Sequence, residues 1–263
     1  MHVLSTNFPL LRRCSPPEAV TSTSRFPLRS SSSIRMSSSD SNSSPNQIIE
    51  HFVLFKFTAD ADPSAVDTMF AKLNALKSLD SVLYLSAGPV SRCRSSSLTF
   101  THMLHARYRS KSDLTAYVDH PDHVSVKTTY PKLPADVMAI DWVADNFPGP
   151  VTVPPGSALR LTVLKLKEGT GENEKGDVLG VLRGIKDKFP SIEQLTVGEN
   201  FSPERCKGFS IGSIAVFNGT KELEELELQS ELANEQKDKV REYLDSVVVL
   251  DYSVDSSVQT SGS

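Results

Sequence analysis

Cysteine is scarce. Cys14, Cys93 and Cys206 are spread over 263 residues, and no two of them form a CxxC pair. A disulfide framework and a zinc-finger site are thereby excluded, and a reducing compartment suits the chain. No apolar run approaches the ~20 residues of a membrane-spanning helix, so no membrane role is expected. Phosphate loops, dinucleotide fingerprints and a serine nucleophile elbow are also missing. No cofactor is expected on these grounds. Basic residues are outnumbered too, 28 against 32 acidic, for a net charge of −4. Five of the arginines but only two acids lie in the first 45 residues; the rest of the chain carries 23 basic and 30 acidic residues, or −7. An acidic body without a basic stripe argues against nucleic acid as a partner.

Residues 1–45 contain 17 Ser or Thr and lack periodicity. Such a segment cannot bury enough surface to fold, and a disordered leader is expected. Its Ser-rich, Arg-bearing, acid-poor composition is that of an organellar transit peptide, and a plastid location is the expectation. The alternatives are the cytosol, through an internal start at Met36, and the peroxisome, although Ser261-Gly262-Ser263 departs from the SKL-type signal. Residues 255–263 are expected as a disordered tail.

Between these ends one pattern occurs twice. In Ile48–Phe57, Val53, Phe55 and Phe57 alternate with Leu54 and Lys56, a strand period. Asp62-Pro63 offers a cap and a first-turn proline, and Val66, Met69, Phe70, Leu73 and Leu76 follow at helical spacing. Strands are predicted at Ser81–Val90 and Leu98–Tyr108, helical pieces at Ser112–Val118 and Val124–Tyr130 around Pro121, and a closing strand at Val137–Val143. The second copy opens with a strand at Ala158–Lys167. A helix carrying Val178, Leu182, Ile185 and Phe189 follows, then strands at Ile192–Glu199 and Phe209–Phe217. A long helix over Lys221–Leu244 and a strand at Val247–Tyr252 complete it. Lys56 and Lys165, Gly88 and Gly198, and Asp141 and Asp251 recur about 110 residues apart. Three landmarks in order indicate duplication. The predicted organisation is a repeat at 48–144, a Pro/Gly-rich linker at 147–156 and a repeat at 158–254. The predicted class is α+β: two tandem ferredoxin-like βαββαβ units. Each would leave one sheet face apolar and cover it with the other, so that one chain forms a dimeric α/β barrel.

The histidines are not shared. His51, His102, His105, His120 and His123 all lie in the first copy. At the repeat interval, His51, His102, Tyr117, His120 and His123 correspond to Arg160, Gly212, Glu227, Ser230 and Ala233. Alternation places His51 with Val53 and Phe55, and His102 with Phe100 and Leu104, as polar points on apolar faces. The run Tyr117-Val118-Asp119-His120-Pro121-Asp122-His123 breaks a helix and gathers Tyr117, His120 and His123. Structural roles for these side chains, a buried imidazole satisfied by a carbonyl among them, stay open beside functional ones. No carboxylate stands at a recognisable metal-ligand spacing, so no metal site is expected.

EHFVLFKF, Gly88, THMLHARY, YVDHPDH and IDWV resemble the stress-responsive dimeric A/B-barrel family. The second copy is similar in its element pattern and in LKLK and VVLDYS, without the histidine motif. The resemblance implies a stress-response protein with a small-molecule cavity, self-associating through its repeats or as a homodimer. A second implied reading is a cyclase-like lyase acting on a polyketide-like molecule. It would use Tyr117 and His123 catalytically, with His51, His102 and His120 binding the ligand. A tyrosine that such a cyclase carries on the first helix is replaced here by Phe70-Ala71-Lys72-Leu73. A third, drawn from related barrels, is a haem- or oxygen-handling monooxygenase.

Overall fold

The computed structural model describes residues 47–95 and 97–255. The predicted leader, and the predicted tail beyond residue 255, lie outside them.

The first repeat contains β1 (Ile48–Lys56), α1 (Pro63–Ala75), β2 (Tyr84–Pro89), β3 (Arg92–Ser95), β4 (His102–Tyr108), α2 (Lys111–Asp119), α3 (Pro121–Thr129) and β5 (Asp136–Ala144). The second contains β6 (Ala158–Leu166), α4 (Glu172–Arg183), α5 (Ile185–Lys188), β7 (Gln194–Glu199), β8 (Ile211–Phe217), α6 (Thr220–Leu228), α7 (Ser230–Asp238) and β9 (Leu244–Ser253). Local chemistry sets the helix starts. The Asp62 carboxylate accepts from Ser64 N at 3.0 Å, with Pro63 in the first turn of α1. The Ser110 hydroxyl does the same for Asp113 N at the start of α2, at 3.1 Å. α1 then buries Val66, Met69, Phe70 and Leu73 on one stripe.

Two antiparallel sheets result, ordered β2-β4-β1-β5 and β3-β9-β6-β8-β7. The tandem ferredoxin-like architecture is as the sequence predicts, with two local corrections. β3 is an unpredicted strand, and it belongs to the other repeat's sheet, pairing Arg92–Ser95 with Asp251–Val248 of β9. Its run Arg-Cys-Arg-Ser has no apolar alternation, so only the tertiary partner makes it a strand. The predicted helix over 221–244 is broken at Gln229, whose ψ of 46° leaves the helical region. Leu244, predicted to end that helix, instead opens β9 opposite Leu166, where sheet pairing overrides helix propensity.

The two sheets pack face to face through one core that includes Phe52, Leu54, Ile140, Leu161, Ile214 and Leu250. Each fully buried aliphatic or Phe side chain of this kind contributes roughly 1.5–3 kcal/mol. The indole of Trp142 lies against β7 and β8, where an added Cβ would stand 2.7 Å from it at Gly198 and 2.4 Å at Gly212. Trp142 Nε1 donates to Thr196 Oγ1 at 3.2 Å. The same device recurs with the repeats exchanged. Tyr252 covers Gly88 and shares a 2.6 Å hydrogen bond with Ser86.

One feature of this core has no counterpart. Glu50 is fully buried and bonds His105 Nε2 at 2.6 Å, Arg107 at 3.1 Å and Thr196 of the second repeat at 3.1 Å. Arg107 also reaches Gln194 Oε1 and the Val151 carbonyl, each at 2.7 Å. Burial alone would raise the Glu50 pKa, but Arg107 and His105 outweigh it and hold the carboxyl at about 2.

Candidate functional site

The space between the sheets is packed, and the cavity of interest lies elsewhere. It sits between the first repeat's sheet and its helices, with a volume of about 190 Å³. β1 supplies His51, Val53 and Phe55, α1 supplies Met69 and Leu73, and the broken helix supplies Tyr117, His123 and Val126. A cavity of this size resembles the ~150 Å³ apolar holes that take up benzene, and falls short of the ~300–1,000 Å³ of drug-sized pockets.

Strand register places the floor. His51 faces Asp141 across the β1–β5 ladder. Their side chains meet at 2.5 Å, Nδ1–H donating to the carboxylate, and both are buried. Burial pushes the Asp141 pKa up, but the His51 ring outweighs it and the net shift is downward. The paired carboxylate fixes the ring, leaving Nε2 as the other nitrogen. The rings of Tyr108 and Tyr117 stand edge-on to His51 at 6.0 and 6.1 Å.

The helix break places the roof. His120 Nδ1 accepts from Asp122 N at 3.2 Å, capping α3, with Pro121 in its first turn. This chain reversal turns His123 back beneath α2, where Nδ1–H donates to the Val118 carbonyl at 2.8 Å. That bond fixes the tautomer and leaves Nε2 as the acceptor. Burial lowers the His123 pKa below the ordinary histidine value, so the ring is neutral at pH 7. The Tyr117 ring lies 4.6 Å away, centroid to centroid. Its hydroxyl is buried, and its pKa is raised by that burial, which keeps it a donor. The hydroxyls of Tyr117 and Tyr108 approach one another without forming a well-aligned hydrogen bond.

Of the five residues predicted for the site, the structure brings Tyr117, His123 and His51 together around the cavity. His120 is partly exposed and acts as a cap. His102 is half-buried against Phe57 and Phe70, beside Thr101, and does not line the cavity. Sequence reasoning passed over Tyr108, Lys127 and Arg205, and treated Asp141 only as a repeat landmark. The strand position of Asp141 opposite His51 was the available signal.

The corresponding place in the second repeat is built differently. Arg160 faces Asp251 in the same register as His51 and Asp141, with Nε 2.8 Å from the carboxylate. Glu227, at the Tyr117 position, accepts from Arg160 at 2.6 Å, Arg92 at 2.7 Å and Arg94 at 2.5 Å. Arg92, Arg160, Glu227 and Asp251 there line a charged recess of about 150 Å³, where the first repeat has a mostly apolar one. Among the described residues, no group of three or more His, Cys, Asp or Glu could hold a metal ion.

Residues 49–144 and 159–254 each match the family model described as Stress responsive A/B Barrel Domain. The chain is 52% identical over 223 residues to a stress-response A/B barrel domain-containing protein of Arabidopsis thaliana, covering 84% of each. It is 44% identical over 214 residues to a second such protein of the same plant, DABB1, covering 81% of this chain and 99% of that one. Among solved structures, an anthrone oxidase-like protein superposes with a TM-score of 0.53 at 12% identity, covering 82% of this chain and 97% of the other. A candidate monooxygenase from Fusobacterium nucleatum gives 0.52 at 13% identity, with 79% and 92% covered. These structural likenesses establish the fold.

Proposed function

The chain belongs to the stress-responsive A/B barrel family, and from that premise we propose that its first repeat binds a small, mostly apolar carbonyl compound in the cavity beneath its helices. One observation carries this reading. A neutral imidazole with a free Nε2 and an un-ionised, poorly satisfied phenol stand side by side in a mostly apolar recess. A buried hydroxyl without a partner costs roughly 1–3 kcal/mol, which an acceptor oxygen on a ligand relieves. The apolar walls favour a body about the size of one ring.

The same geometry favours proton transfer on that compound. His123 Nε2 takes a proton from the carbon beside the carbonyl, the C–H electron pair becomes the enolate, and Tyr117 O–H donates to the enolate oxygen. The proton then returns to carbon, or the enolate attacks a second carbonyl of the same molecule and the His123 imidazolium returns the proton to the alkoxide so formed, as an aldol cyclase requires. A haem macrocycle does not fit a cavity of about 190 Å³. Binding is tested by calorimetric titration with ring-sized ketones and β-diketones. Tyr117→Phe is expected to weaken binding about five-fold or more, the loss of one hydrogen bond. Proton transfer is tested by NMR, as deuterium uptake at the activated carbon in D₂O. His123→Ala is expected to slow it about 10²-fold with folding intact. Uptake that survives this change removes His123 as the base. Failure of every compound to bind overturns the binding reading.

A further inference from the structure

We propose that the ligand of this cavity is a small organic carboxylate, its apolar body inside and its anion held at the mouth by Arg205 and Lys127. The inference rests on the cavity reading above and adds the charge class of the ligand.

Arg205 is not part of the first repeat. It lies on the arm that follows β7 and crosses to the edge of β5. Phe201 N donates to the Asp141 carbonyl at 2.9 Å, and Asp141 N donates to Asn200 Oδ1 at 2.9 Å. Lys111 of α2 sits 4.1 Å over the Phe201 ring. Beyond Arg205, Lys207 is paired with Asp136 of β5 at 2.8 Å. Anchors on both sides therefore hold Arg205 at the cavity it lines.

The mirrored arm shows what such a position does when it is neutralised. Ser91 N donates to the Asp251 carbonyl at 2.8 Å, and the following Arg92 and Arg94 turn onto Glu227 and Asp251. In the first repeat neither position supplies an ion pair to the arm, although Arg205 lies near enough to Asp141 to help lower its pKa. Tyr117 replaces Glu227, and Asp141 is engaged by His51. Among the described residues, Arg205 and Lys127 have no carboxylate within ion-pair distance, although both are exposed and both line the cavity. No acidic residue lines it, in a chain with 32 of them. Independently of the charges, Tyr117, a residue only 1% exposed, lines the same recess, and its buried hydroxyl lies near that of Tyr108 without a well-aligned hydrogen bond. A mostly apolar chamber with two exposed cations on its lining, neither in an ion pair, fits an amphipathic anion. The planar guanidinium matches a carboxylate through two parallel N–H bonds.

The test uses the full chain and matched pairs of one shape and two charges: benzoate with benzamide, and cyclohexanecarboxylate with its amide. Affinities are measured by calorimetry or ligand-observed NMR at pH 7. Each acid is expected to bind about 10-fold tighter than its amide, and high salt to narrow the gap. Arg205→Met is expected to abolish most of that preference with the melting temperature unchanged, and Arg205→Lys to restore part of it. Equal affinity for acid and amide in the wild type overturns the inference and leaves the cavity reading standing. A preference unmoved by both Arg205→Met and Lys127→Met overturns the assignment of the cations. Competition by inorganic phosphate as strong as by benzoate overturns the apolar seat. If neither the amides nor the ketones bind, the cavity reading falls and this inference with it.

Discussion

Replacing Glu50 by Gln removes the charge at the centre of the inter-sheet network and keeps the side-chain volume. Arg107 is then left buried without its counter-ion. Breaking such a pair costs about 3–5 kcal/mol. The acid dependence separates this charge from mere packing. The folded pKa of Glu50 is about 2 against an ordinary 4.5, so the carboxylate stabilises the fold by about 3 kcal/mol at neutral pH. Because the folded value is depressed, that term is fully present above pH ~4.5 and is lost as pH falls towards ~2. About 2 of those kcal/mol are gone by pH 3. The assay is urea unfolding of wild type and Glu50→Gln, followed by circular dichroism between pH 7 and pH 3. Other carboxylates titrate in both proteins, so the difference between the two isolates Glu50. The stability gap is expected to shrink by about 2 kcal/mol over that range. A gap of the same size at pH 7 and pH 3 refutes the charge as its source.

Gly212→Ala drives a Cβ to within 2.4 Å of the Trp142 ring and is expected to cost about 1–3 kcal/mol, by urea unfolding. Combined with Trp142→Leu, the cost should be less than additive, and simple additivity removes the clash as its cause. Glu227→Gln strips the shared acceptor from three arginines. Burial raises the Glu227 pKa, but its bonds to Arg94 and Arg160 outweigh this and bring it to about 2. The carboxylate is 30% exposed, so solvent screening reduces the expected loss of stability to about 1–2 kcal/mol. Ligand binding in the first repeat should be unchanged; a change there shows that the two places are coupled.

The fold was legible where local and tertiary preferences agree. The alternation in Ile48–Lys56, the Asp62-Pro63 start and the stripe of Val66, Met69, Phe70 and Leu73 appear in the structure much as read. The interval of about 110 residues carried the rest, because Asp141 and Asp251 hold the same register in their sheets. β3 was illegible, since nothing in Arg-Cys-Arg-Ser announces a strand until β9 lies beside it. The site was legible as far as one repeat could show it. Tyr117, His51 and His123 follow from the strand face and the proline break. Arg205 comes from the other repeat, along a loop whose path no periodicity encodes. The roles of His102 and His120 turned on burial and on one backbone bond, neither of which spacing reveals.

The exchange of arms between the repeats bears on how such a molecule can change over generations. In a two-fold homodimer, any substitution in a crossing loop alters both recesses together, because one sequence writes both halves. A covalently joined pair is free of that bond. Arg92 and Arg94 reach only the second recess, and Arg205 only the first. Arginine and glutamate can thus line one recess with charge without touching the imidazoles of the other. One half can diverge in the side chains of its recess while its twin keeps its own, and the pairing of the two sheets is left alone.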